Sequence, residues 1–293
     1  MSPPTLCSQL FRPLAVGADL RRIHNSKSTK EAMAQSLFPR FAATVRDLTD
    51  VEVSDPRTVD KLALAHADAG GRTVSMVYVP FDHMNPTARI AIVGLTPGLQ
   101  QARNALSAAR AALRRGASVI DAGAEAKVFA SFSGPMRANL VAMLDQIGVA
   151  RHLELASTAL LWSERADLVH FTSALRYPVF VDGENWSGRP DALRIPSMRD
   201  WLLTYLGEEL RSLHGALLVP LGPKVSALLN YLANQGIVDR STILDGLPHP
   251  SGANAERIAY FLGQKPRDRL SAKTDPTRLD AARASLEAKL KAA

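Results

Sequence analysis

The stretch Arg89-Ile90-Ala91-Ile92-Val93-Gly94, followed by Leu95-Thr96-Pro97-Gly98 and then Leu99 to Arg115 (LQQARNALSAARAALRR), decides the fold. A short apolar run ending in glycine reads as a strand buried on both faces, as in a parallel sheet. The segment after it carries Ala and Leu at helical spacing and is closed by Gly116, so it reads as a helix. Strand, Gly–Pro–Gly turn and helix together form half of a β/α unit.

The alternation extends outward from this unit. Thr73 to Pro80 is rich in β-formers, and Leu168 to Leu175 and Gly215 to Leu221 (GALLVPL) are strand-like. Pro135 to Ile147, Met198 to Leu213 and Lys224 to Asn234 are helical, and the tail from Asp275 reads as a final surface helix with a solvated basic face. Strands alternating with helices imply an α/β fold, here a three-layer α/β/α sandwich around a mostly parallel sheet. Residues 1–70 are weakly patterned, with expected helices at 30–48 and 58–69. They read as an N-terminal helical extension to one α/β domain over 71–293.

The formal net charge is +7, from 35 Lys and Arg against 28 Asp and Glu, which suits a polyanionic partner. The positive residues are dispersed, and no block reads as a basic tail. A single cysteine, Cys7, leaves no internal disulfide, cysteine-rich zinc site or cysteine-ligated iron–sulfur cluster. No apolar run approaches the roughly 18 residues of a membrane span. The amino end does not read as a secretory signal, so a cytoplasmic protein without a membrane partner is expected, monomeric by default.

Ligand sites of open α/β sheets lie at the carboxyl ends of the strands. Two loops there carry chemistry. In Gly94-Leu95-Thr96-Pro97-Gly98, backbone can approach a ligand closely and aim amides at it. In Leu247-Pro248-His249-Pro250-Ser251-Gly252-Ala253-Asn254, a histidine is held between two prolines ahead of a serine that opens a helix. Taken singly, each is compatible with a structural role, a tight connection in one case and a packed histidine in the other.

The pair G-x-x-P-G and H-P-S-G-x-N resembles the uracil-DNA glycosylase superfamily. Phe132-Ser133-Gly134-Pro135-Met136-Arg137 with Asn139-Leu140, and Val219-Pro220-Leu221-Gly222, resemble the superfamily's segments between those motifs. The resemblance spans about residues 75 to 270. It implies a DNA-binding enzyme that flips a nucleotide, holds its base in a pocket and hydrolyses the N-glycosidic bond. No metal and no organic cofactor are implied. His249 would donate a hydrogen bond to the base as it leaves as an anion. Phe132 would stack on the base, with Phe129 as fallback, although a core role for Phe132 is equally open. Gly94, Leu95 and Ser173 would line the base pocket. Pro97, Gly98, Arg137, Ser251, Gly252 and Asn254 would meet DNA.

Three departures bear on the substrate. Thr96 stands where common members carry a water-positioning Asp or Asn, and its hydroxyl is a poor general base. Gln100, Gln101 or Asp82 are the other candidates to orient water. Ser173 stands where many members carry a base-reading Asn and makes fewer hydrogen bonds than an amide. Ala253 replaces the residue that fills the gap left by a flipped base. Together they suggest a glycosylase for a modified or damaged pyrimidine, such as those in viral DNA, with an antiviral role. The alternatives are a conventional uracil repair glycosylase and a DNA-binding module without catalysis.

Overall fold

A computed structural model describes residues 36–130 and 135–292. From the amino side, α1 (Phe38–Asp47) and α2 (Asp50–Ser54) lead to β1 (Ala63–Asp68), β2 (Thr73–Val77), β3 (Ile90–Gly94), α3 (Leu99–Arg114), α4 (Val119–Ala130), α5 (Pro135–Ile147) and α6 (Val149–His152). Then come β4 (Val169–Ser173), β5 (Val179–Val181), β6 (Glu184–Asn185), α7 (Pro196–Trp201), α8 (Glu208–Arg211), β7 (Leu217–Pro220), α9 (Pro223–Asn234), α10 (Ala255–Phe261) and α11 (Pro276–Ala292).

Strand β3 is buried at all its positions and is the middle strand of a parallel sheet ordered β4-β3-β7. Ile90 pairs with Val169 on one side and Leu217 on the other, and Gly94 with Ser173. A parallel bridge between Leu218 and Ile243 continues the sheet past β7. The alternation of a strand sends neighbouring side chains to opposite faces. Ile90 and Ile92 accordingly join a cluster with Leu140, Met143 and Leu144 of α5. Ala91 and Val93 join a second cluster with Ala102, Ala105, Leu106 and Ala109 of α3. The apolar β3 run therefore becomes a doubly covered strand, and the chain is a mixed α/β protein with a parallel sheet.

A second sheet, ordered β1-β2-β5-β6, is antiparallel throughout, which the expectation of a mostly parallel sheet did not include. Its first hairpin turns at Gly70 and Gly71, whose φ of +71° and +84° suit glycine. This hairpin also replaces the helix expected at 58–69. Only single 3₁₀ turns form at Pro56–Thr58 and Asp60–Leu62, after which the chain extends as β1.

The compact unit spans Ser36–Ala293, so residues 36–70, expected in the extension, belong to it. Phe38, Phe41, Val45 and Leu48 are buried, and the Phe41 ring stacks on Tyr78 at 4.0 Å. The helix expected over 198–213 forms with a π-helical segment at Leu202–Gly207 between α7 and α8. In α11, Leu286 and Leu290 are buried and Lys289 Nζ donates to the Ile243 carbonyl at 2.6 Å, so part of that helix is structural rather than solvated. No helix among the described residues is long and apolar enough to cross a membrane.

Candidate functional site

The carboxyl ends of β4, β3 and β7 bring Ser173, Gly94 and the Leu221–Gly222 turn to one edge of the parallel sheet. With strands about 4.8 Å apart, Ser173 and the end of β7 flank Gly94 across roughly 10 Å.

The loop after β3 is more occupied by its own chain than expected. Thr96 Oγ1 donates to the Tyr177 carbonyl at 3.1 Å and accepts from the Val179 amide at 3.2 Å. Its proton is thus engaged in tying this loop to β5, which weakens the expectation that it positions water. The Gly98 amide donates to Gln101 Oε1 at 3.1 Å, and the Leu99 amide to Asn185 Oδ1 at 2.9 Å. These side chains satisfy the opening of α3, next to Pro97 and Gly98, which were expected to meet DNA. Gln100 is exposed and donates along its helix to Asn104 Oδ1 at 2.9 Å.

Asp82 is buried, 5% exposed, and accepts from Tyr177 Oη at 2.7 Å, Tyr78 Oη at 2.9 Å and the Leu37 amide at 2.7 Å. Burial raises its carboxyl above the usual range, against the pull of those donors and of Arg176. A carboxylate held by three donors is a structural anchor. Its expected part in orienting water does not suit this geometry.

The second loop holds His249 as a defined donor. His249 Nδ1 accepts from the Ser251 amide at 3.2 Å, so in the neutral ring the proton sits on Nε2. Burial lowers its pKa, which favours that neutral form. Asn139 Nδ2 of α5 donates to the Pro250 carbonyl at 2.9 Å and anchors the loop from below. Asn254 Nδ2 donates to Ser251 Oγ at 3.3 Å and its Oδ1 accepts from Arg257 Nη1 at 2.7 Å. Gly252 and Ala253 are exposed. The Arg137 guanidinium lies 5.6 Å over the Trp162 ring. Phe132 lies outside the described residues, as do the side-chain surroundings of Phe129.

Between these loops and α4, a cleft is lined by Phe81, Pro97, Gln101, Lys127, Phe171, Thr172, Ser173 and Arg176. Of the expected site residues it collects Pro97, Gln101 and Ser173; His249, Asp82 and Gln100 stand apart from its wall. Behind the wall is a charge cluster that the sequence reading missed. Fully buried Glu209 accepts from Arg176 Nε at 2.9 Å and from His170 Nε2, with Lys127 Nζ at 3.5 Å. Lys127 Nζ also donates to the His83 carbonyl at 2.6 Å, and Arg176 Nη2 to the Tyr205 carbonyl at 2.8 Å.

Burial opposes the charge on Glu209, yet Arg176, Lys127 and His170 hold its carboxyl well below the usual range. Burial, assisted by Arg176, lowers Lys127 to about 8 against the attraction of Glu209. Burial and the nearby Lys127 lower His170 to about 4. His170 Nδ1 accepts from the Asn85 amide at 3.3 Å, which fits a neutral ring donating to Glu209 from Nε2. A lysine within the apolar α4 sequence and a histidine within β4 were the only sequence signs of this cluster. No group of metal-ligating side chains occurs among the described residues.

No family model matches the chain, and no solved structure matches it. The chain is similar to YoxB of Bacillus subtilis (strain 168), a protein described as uncharacterized. The two are 33% identical over 195 residues, covering 66% of this chain and 76% of YoxB.

Proposed function

The chain belongs to the family of YoxB, and from the geometry of its site we propose that it is a monofunctional DNA glycosylase. It removes a flipped modified or damaged pyrimidine and leaves an abasic site. The observation that carries this reading is the tautomer of His249. The Ser251 amide occupies Nδ1, which leaves Nε2–H as a donor on a loop fixed by two prolines and by Asn139. Departure of a base as an anion needs such a donor, fixed where charge develops, and a fixed donor requires no reorganisation.

In this reading the N-glycosidic bond breaks with its electron pair going to the base, and Nε2–H stabilises the anion at a base carbonyl. The sugar becomes oxocarbenium-like and is captured by water, which then loses a proton to solvent. So electrophilic a centre needs little activation of the water, consistent with a Thr96 hydroxyl engaged in structure. The +7 charge favours docking on DNA. The finer architecture is a three-layer α/β/α sandwich, acting as a cytoplasmic monomer. Modified pyrimidines of viral DNA as targets would make it an antiviral enzyme.

A second reading, a DNA-binding module without catalysis, draws support from the occupied amides of Gly98 and Leu99 and from the engaged hydroxyl of Thr96. Both are tested by base release from oligonucleotides carrying uracil, damaged pyrimidines, and hydroxymethylated or glucosylated cytosine. The glycosylase reading expects abasic sites from a modified base with the wild type and a loss of at least about a hundredfold in His249→Ala. Release of uracil alone would make it a conventional repair enzyme. DNA binding without release from any substrate would leave the binding module.

A further inference from the structure

The cleft at the ends of β3 and β4 has a polarity that the proposed function does not itself explain. Two cations, Lys127 and Arg176, stand in its wall, whereas their counter-charge Glu209 is fully buried and takes no part in the lining. Their charged ends turn back to Glu209 and to the His83 and Tyr205 carbonyls, and with His170 neutral the two cations and one anion leave a positive excess just behind the wall. Thr172, in the same wall, is 8% exposed, and its Oγ1 has no hydrogen-bond partner among the described residues. A buried hydroxyl without a partner is uncommon, because desolvation without compensation is unfavourable. Ser173 adds a second hydroxyl at the rim, paired in register with Gly94.

We propose that this cleft is the specificity pocket of the same site and takes a base substituent rich in oxygen acceptors, with Thr172 as its hydrogen-bond donor. The inference rests on the glycosylase reading. Arg176 and Lys127 supply the field that favours an oxygen-bearing group over a methyl, and Phe171 and Phe81 supply apolar walls for the ring. Glu209 acts through the cations: it holds them in place without presenting its own charge to the ligand. The reading selects hydroxymethyl, carbonyl or carboxylate substituents against thymine-like ones. A site built to hydrogen-bond a substituent discriminates strongly against the analogue that lacks it.

The test uses the full chain and two variants. Thr172→Val deletes the hydroxyl at nearly constant volume, and Thr172→Ser retains it. Rates of base release are compared on duplexes carrying 5-carboxyl-, 5-hydroxymethyl- and 5-methylcytosine. The wild type should release one or both oxygenated bases at least about tenfold faster than the methylated one. Thr172→Val should lower that ratio roughly tenfold, the effect of one lost buried hydrogen bond, with an unfolding temperature no lower than wild type. Thr172→Ser should keep the preference.

Equal or faster release of 5-methylcytosine, or a Thr172→Val protein with unchanged preference, overturns the inference while leaving a glycosylase. If no duplex loses a base, the glycosylase reading fails on its own. Calorimetric titration with the free bases 5-carboxyuracil and thymine then decides the pocket. Binding of the acid alone, weakened in Thr172→Val, supports it; equal binding of the two, or none, overturns it.

Discussion

The His249 ring lies directly against Gly222, so that a Cβ added at Gly222 would meet His249 Cβ at 3.3 Å and Cδ2 at 3.5 Å. Gly222 also has φ of +92°, a region that L side chains rarely adopt. The donor on one loop thus depends on the absence of a side chain on another. Gly222→Ala should displace the ring and strain the turn by about 1–3 kcal/mol. We expect base release to fall by at least about tenfold, together with an unfolding temperature lower by several degrees. Normal release from a destabilised Gly222→Ala protein would show that His249 does not need this seat.

Asn139 offers a milder probe of the same loop, since its side chain touches the Pro250 carbonyl rather than any reacting group. Asn139→Ala removes one partly buried hydrogen bond, which is worth about 1 kcal/mol. The expected outcome is a kcat lowered roughly tenfold with KM little changed, because the loop shifts without altering the DNA surface. Single-turnover kinetics would detect this, and a change confined to KM would contradict a positioning role.

The buried charge cluster predicts an asymmetric response to substitution. Glu209→Gln leaves Arg176 and Lys127 buried without their counter-ion and should destabilise by about 3–5 kcal/mol. Adding Lys127→Met should recover part of that loss, because one uncompensated charge is removed. Urea unfolding of the single and double variants measures it. Additive losses would mean that the lysine and the glutamate are not coupled.

Stability should fall on mild acidification. His170 is buried and His83 half-buried, and desolvation lowers them to about 4 and about 3, from an ordinary value of 6.5. Below pH 6.5 the unfolded chain takes up protons that the folded chain refuses, so their contribution is complete above that pH. For His170 it is lost progressively down to about pH 4, on the order of 3 kcal/mol in all. Glu209, held low in the fold, does not oppose this between pH 6.5 and 4.5. Urea midpoints across that window should decline, and His170→Gln should flatten the decline. A midpoint independent of pH would show that neither imidazole is held neutral.

Much of the frame was legible in the sequence because it is local. Ile90-Ala91-Ile92-Val93 is apolar throughout before Gly94, and the alanine spacing of LQQARNALSAARAALRR marks the face that α3 buries. The loop of Gly94 followed from its place at a strand end, whereas no strand forms at Leu247 and the His249 loop follows only the isolated bridge at Ile243. Of the antiparallel sheet only β2 was legible, within the β-rich stretch Thr73 to Pro80. Its β5 has three residues and its β6 two, too short for alternation to register, and ALAHAD carries no strong β signal. The cluster around Glu209 was hidden for another reason. Lys127, Glu209 and the neighbouring His170 and Arg176 come from three distant parts of the chain, and each alone looks like an ordinary charged or polar residue. Only the packing of α4, β4 and α8 shows that they meet.

Thr96 carries a consequence for how such a site can change over time. Its hydroxyl both gives a proton to Tyr177 and takes one from Val179, a pair of duties that no carboxylate can perform together. An aspartate introduced there would face the Tyr177 carbonyl, lone pair against lone pair. An acidic residue at position 96 is therefore not reached by changing that side chain alone. It would need the start of β5 to re-route as well, so the chemistry available at position 96 and the course of the second sheet are tied together.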